Sequence, residues 1–123
     1  MTEIPMIKTH VYDHEKRTYN FTRSIAFFCK KLPYSASNKE YVAQLIRSSG
    51  SIGANYIEAN ESLSKKDFAM RAKICRKEAK ESVYWLGLLV DTNSEEFKQE
   101  GLFLRDEATE LKKIFSSIIL KSS

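Results

Sequence analysis

Apolar residues recur every three or four positions in four long stretches of this chain, separated by short polar ones. Phe21, Ile25, Phe28, Cys29 and Leu32 form the first stripe and predict a helix over 14–32. Pro33 should stop it, because the residue before a proline is pushed out of helical geometry. Ser37 and Glu40 have the spacing of a capping box and open a second predicted helix over 37–60. Its inward face carries Val42, Leu45, Ile46, Ser49, Ile52, Gly53 and Tyr56. Ser64 and Asp67 form another box, with Leu63 and Phe68 at the two positions of a hydrophobic staple. They start a third helix over 65–91, whose inward stripe is Phe68, Ala72, Cys75, Ala79, Leu86 and Val90. Asn93 or Ser94 caps a fourth over 94–120, with Glu95 and Glu96 at the positive end of its dipole and Lys112, Lys113 and Lys121 toward the other. Its buried face holds Phe97, Leu104, Ala108, Leu111, Phe115 and Ile118. Residues 1–13 read as a tail. Four long helices on short connections alternate in direction, so the expected fold is all-α, an antiparallel up-down-up-down four-helix bundle in one domain over 1–123.

Two features do not fit a solitary bundle. Gly53 lies inside the buried stripe of the second helix, where glycine costs about 1 kcal/mol relative to alanine. With Ser49 one turn before it, the small residue is expected to let another helix backbone come close. On the third helix, Met70, Ile74, Trp85 and Leu88 make a second apolar strip within an arc of roughly 60°, away from the core stripe. A monomer has no use for four such residues, one of them the single Trp, so the strip is expected to meet sister copies. Asn55 and Glu58 point away from the core stripe of the second helix and are either solvated or part of the same second interface.

Composition narrows the chemistry. At 123 residues the chain has the size of one domain, and 42% hydrophobic with 29% charged residues excludes a disordered polymer. The longest apolar run, Tyr84 to Val90, is far below the ~20 residues that span a bilayer. No apolar core of signal-peptide length occurs near the start, and a cytoplasmic protein is expected. Cys29 and Cys75 have neither metal-ligand nor disulfide-framework spacing and read as small buried thiols. Di-iron bundles need paired Glu-x-x-His motifs, whereas His10 and His14 both lie near the start and neither follows a Glu by three. Zinc spacing and phosphate-binding glycine loops are lacking, so no cofactor, no metal and no enzymatic activity are expected. Glu58, Glu78 and Glu81 read as structural carboxylates, with a raised-pKa set at an assembly interface as the sharper alternative.

The motifs also carry a resemblance. "RTYNF" at 17–21, "KKLP" at 30–33, "QLIRSSGSIGANYIEA" at 44–59 and "KKDFAMRAKICRKEAKESVYWLGLL" at 65–89 resemble the bacterial four helix bundle protein family, also called the 23S ribosomal RNA intervening-sequence protein family. The resemblance runs along almost the whole chain. It implies an antiparallel four-helix bundle assembled as a homopentamer around a central channel. It also implies kinship with the accessory proteins of diversity-generating retroelements, basic pentamers that partner a reverse transcriptase and bind nucleic acid. Gln44, Arg47, Asn55, Glu58, Glu78, Tyr84 and Trp85 match the family's recurrent positions and would serve packing and assembly. Ala59 departs from the glycine that often follows the glutamate of the Asn-x-x-Glu motif.

Charge then separates two functions. The net charge is only +4, but residues 64–80 set seven bases against two acids, a local +5. Lys65, Lys66, Lys73, Arg76, Lys77 and Lys80 fall within an arc of about 120°, whereas Arg71 falls outside it. Such a stripe is a candidate track for the phosphates of RNA or DNA. Between Glu95 and Glu110 six acids oppose two bases, a local −4, so the two charged faces could instead neutralise each other within or between subunits. Tyr84 alone stands at a base-stacking position, which argues against sequence-specific readout. The expected function is a homo-oligomeric accessory protein binding nucleic acid; the alternative is a protein scaffold meeting a polymerase-type partner.

Overall fold

The computed structural model describes residues 13–122, so of the predicted tail only Asp13 is described and His10 lies outside. Four helices follow one another: α1 (His14–Lys31), α2 (Ala36–Asn60), α3 (Lys65–Thr92) and α4 (Lys98–Lys121), with a 3₁₀ turn, Glu95–Phe97, leading into α4. Side-chain caps start the first three helices. The Asp13 carboxylate accepts the Lys16 amide at 3.0 Å, and the Ser64 hydroxyl accepts that of Asp67 at 3.1 Å, as the box at 64–67 required.

Three local expectations need correction. The cap of α2 is Ser35, not Ser37: Ser35 is extended and its hydroxyl accepts the Asn38 amide at 3.0 Å, so Ser37 already lies in the first turn. Leu63 is 99% exposed, so no staple forms with Phe68. Neither Asn93 nor Ser94 caps α4 by a side-chain bond; Asn93 ends α3 and its amide points across the bundle to Asn38. Those two amides bond reciprocally at 2.8 and 2.9 Å, while Asn38 also donates to the Pro33 carbonyl and Asn93 to that of Leu89. The pair clips the α1–α2 connection to the end of α3.

Cross-helix pairs fix the directions. From α1 to α2, Thr22 meets Ser49 and Thr18 meets Gly53; from α2 to α3, Tyr41 meets Trp85, Ser48 meets Ser82, Ile52 meets Cys75 and Asn55 meets Arg71. From α3 to α4, Gly87 meets Arg105. From α4 to α1, Glu107 pairs with Arg17 and Glu100 with Lys31. In every pair of helices with two or more such contacts, numbers rise on one side as they fall on the other, which is the antiparallel arrangement. Each helix packs chiefly on two neighbours, and the centre is filled by Phe21, Ile25, Phe28, Leu45, Ile52, Cys75, Leu86, Leu89, Leu111 and Phe115.

Gly53 finds its reason in α1. A Cβ there would lie 3.1 Å from Thr18 Oγ1, and that hydroxyl is held by the His14 and Glu15 carbonyls. One turn away, Thr22 reaches across to donate to the Ser49 carbonyl at 2.9 Å. The small pair therefore seats two threonines of α1 against the backbone of α2. Gly101, which periodicity did not single out, is tighter still: a Cβ would meet Val90 Cγ2 at 2.5 Å and Phe28 Cζ at 3.2 Å.

Candidate nucleic-acid interface

The Ser64 cap and the proline-free run after it let α3 continue for 28 residues, presenting three arcs at once. The inward arc holds Ala72, Cys75, Ala79, Leu86 and Val90. On the outward arc Lys65, Lys66, Lys73, Lys77 and Lys80 are exposed, and Arg76 is half-buried. Only Lys77 of these six has an ion pair among the described residues, a loose one of 4.0 Å to Glu78. Four acids of the 95–110 segment are held elsewhere. Glu107 holds Arg17 at 2.7 and 2.8 Å, Glu100 holds Lys31 at 2.9 Å, and Glu95 and Glu110 pair with Lys98 and Lys113 of their own segment. Among the described residues, no α4 acid pairs with the α3 stripe within the subunit. The Arg17–Glu107 clasp bounds a groove of about 550 Å³ between α1 and α4, where Phe103 stands exposed.

The third arc flanks α2. The residues expected at an interface differ in exposure, and the structure brings Glu58, Met70 and Ile74 together at one hollow. Met70 is exposed, while Ile74, Trp85 and Leu88 are half-buried. The Trp85 indole lies against Tyr41 at 5.9 Å between ring centres and packs on the core, so part of its apolar surface is covered inside one subunit. Asn55 is engaged locally: its amide donates to the Ser51 carbonyl and hydroxyl, and its oxygen accepts from Arg71 Nη1 at 3.0 Å. Glu58 is exposed and lines a hollow of about 530 Å³ with Asp67, Met70, Arg71 and Ile74.

Higher on the same seam, Arg47 of α2 reaches two carboxylates of α3, Glu81 at 3.2 Å and Glu78 at 3.6 Å. Glu78 is 6% exposed and its Oε1 has no hydrogen-bond partner. Burial first, and then the Glu81 charge, hold the Glu78 carboxyl above the usual carboxylate range against the opposing pull of Arg47 and Lys77. Beside it the buried hydroxyls of Ser48 and Ser82 bond at 2.9 Å. Ser48 was not on the predicted inward face; the neighbouring Ile46 was, and it is 40% exposed.

The thiols are muted. Burial pushes the Cys29 thiol up to about 11 and the Cys75 thiol up to about 12, far from a reactive thiolate at neutral pH. No three His, Cys, Asp or Glu side chains among the described residues are placed to hold a metal ion. No described helix is long and apolar enough to cross a membrane.

Comparison with known proteins now bears on this geometry. The model of the 23S rRNA-intervening sequence protein family matches residues 12–117. The chain belongs to that family. A solved structure from Bacteroides thetaiotaomicron, described as a protein of unknown function from the S23 ribosomal protein family, is 32% identical to this family member. The likeness covers 85% of this chain and 96% of that one, with a TM-score of 0.71. No curated protein matches significantly. The match to the 23S rRNA-intervening sequence family thus includes the whole of α3 with all three of its arcs.

Sequence reasoning missed one basic group on the outward side. Arg105 belongs to α4, yet its Nη1 lies over Gly87 of α3, only 3.4 Å from where a Cβ would be. Counted on its own helix it reads as one of two bases among six acids; only the glycine opposite hinted that α3 leaves room for it.

Proposed function

We propose that this protein is a non-enzymatic, homo-oligomeric nucleic-acid-binding protein of the cytoplasm, its basic α3 face carrying the phosphates. The observation that carries the reading is how little the stripe is neutralised within the subunit: among the described residues five of its six cations have no ion pair, and the paired acids of the 95–110 segment hold α1 or a lysine three positions further along the chain. Exposed cations at helical spacing attract a polyanion by releasing its counterions. The family's description refers to 23S rRNA and that of the solved neighbour to a ribosomal protein family, which makes RNA the first probe. Self-association through Met70, Ile74, Trp85, Leu88, Asn55 and Glu58 is supported by the apolar surface that α2 leaves uncovered on that flank. A ring of five is the size the family resemblance implies.

The test titrates labelled RNA at several salt concentrations while light scattering follows the mass. Binding should weaken steeply with salt, with a log–log slope of roughly 4 if six cations each contribute about 0.7. Reversing charge at Lys73, Arg76 and Lys80 should abolish it with oligomer size unchanged. No retention at low salt would remove the nucleic-acid part and leave the scaffold alternative, in which the exposed Met70 flank or the free cations meet a protein partner of polymerase type. A species of 14.2 kDa at micromolar concentration would remove the self-association.

A further inference from the structure

The outward arc of α3 is more than a set of charges. Lys66, Met70, Lys73, Lys77, Lys80, Tyr84 and Gly87 follow one another at alternating steps of four and three, a single row along the helix. From Lys73 to Gly87 the row runs about 21 Å. Tyr84 is 62% exposed, so a face of its ring stands open to solvent among the lysines. It is also held in place: its ring meets Trp85 edge-to-face at 5.0 Å, and Trp85 leans in turn on Tyr41 and the core. Its hydroxyl makes no hydrogen bond among the described residues. One turn before Tyr84 stands Lys80. One turn after it is Gly87, where the missing side chain leaves a flat place occupied by the Arg105 guanidinium, which has no ion pair among the described residues.

We infer that Lys73, Lys77, Lys80, Tyr84 and Arg105 form a track for single-stranded nucleic acid, with phosphates on the cations and one unpaired base stacked on Tyr84. The inference rests on the nucleic-acid reading above and names the form of nucleic acid the face selects. A duplex keeps the faces of its bases stacked on one another, so it can use the lysines but offers nothing to an exposed ring. A single strand offers both, and a fixed aromatic between cations is what sequence-tolerant single-strand sites use. Arg105 extends the phosphate contacts past the ring, so that the strand is held on both sides of the stacked base.

The experiment measures anisotropy of a labelled single-stranded RNA and of the same sequence as a blunt duplex, at one salt concentration and then across a salt series. Wild type should prefer the single strand at equal phosphate number. Tyr84→Ala should lose about 5- to 100-fold in single-strand affinity while leaving duplex binding and the salt slope unchanged, and Tyr84→Phe should retain the affinity. Arg105→Ala should lower the salt slope by about 0.7. Circular dichroism on each variant checks that the substitutions leave the fold intact. If Tyr84→Ala binds as wild type does, or if the duplex binds equally well, while charge reversal at Lys73, Arg76 and Lys80 still abolishes binding, the track is wrong and the phosphate reading stands. If wild type binds neither form at low salt, both fall.

Discussion

Replacing each of three helical glycines by alanine should give three different answers, ordered by what the new methyl group meets. In a helix interior the substitution gains up to about 1 kcal/mol from propensity alone. At Gly50 the nearest atom would be Thr22 Cγ2 at 3.8 Å, an ordinary contact, so the gain should survive as about 0.5–1 kcal/mol of added stability. At Gly53 the methyl would sit 3.1 Å from the Thr18 hydroxyl, which is fully buried and pinned by two carbonyls, so it yields only by breaking a bond. Gain and crowding there should roughly cancel, within about 1 kcal/mol of zero. At Gly101 the methyl would enter Val90 at 2.5 Å and Phe28 at 3.2 Å, both buried. Overpacking of that kind costs about 1–3 kcal/mol, leaving a net loss of up to about 2 kcal/mol after the propensity gain. Urea unfolding followed by helical ellipticity, at one fixed protein concentration because any self-association would shift apparent stability, reads all three. In a thermal scan each kcal/mol corresponds to about 4 °C for a chain of this size. Gly101→Ala as stable as Gly50→Ala would refute the claim that α3 and α1 approach α4 through the space that glycine leaves.

Two further outcomes follow from the polar contacts. Because the folded state holds the Glu78 carboxyl above its ordinary value of 4.5, the native protein binds that proton more tightly than the unfolded chain. Its contribution is therefore full below about pH 4.5 and is lost as pH rises through the folded value; Glu78→Gln should flatten this decline, and an unchanged slope of stability against pH over that window would count against a buried carboxylate whose Oε1 lacks a hydrogen bond. The Asn38–Asn93 pair should show coupling of at least about 0.5 kcal/mol in a double-mutant cycle with alanine, since either single change strands a part-buried amide; additive losses would mean the two act apart.

Helix number, order and most of the core were legible because the stripes at 21–32, 68–90 and 104–118 are long and nearly unbroken. What failed was decided by neighbours that lie far along the chain. Ser35 and Ser37 each stand three residues before a plausible partner, and only the extended course of the chain after Pro33 selects the first. Ile46 outranks Ser48 on any apolar scale, yet Ser48 is the residue that faces Ser82, thirty-four positions on, and satisfies its hydroxyl there. The basic stripe was visible as spacing. Its freedom from α4 was not, because where Glu100 and Glu107 turn depends on Lys31 and Arg17 of the first helix. Arg105 escaped for the same reason.

The arcs of α3 also bear on how assembly and binding can coexist. The stripe cations occupy about 120° of the helix, and Met70, Ile74, Trp85 and Leu88 an adjoining arc of roughly 60° toward α2. The two meet only near Met70 and Lys77, so copies joined along the α2 flank would leave most of the lysine row open to solvent. Each added copy would then repeat the same row, and one polyanion reaching two rows would bind far more tightly than a single row allows, by effective concentration and without any new contact. Affinity should therefore rise with strand length in steps once a strand outgrows the ~31 Å from Lys66 to Gly87, and a variant made monomeric by the uncharged change Met70→Asn should keep the short-strand affinity but lose the step. A monomer that still showed the step would place the second set of contacts elsewhere on the same subunit.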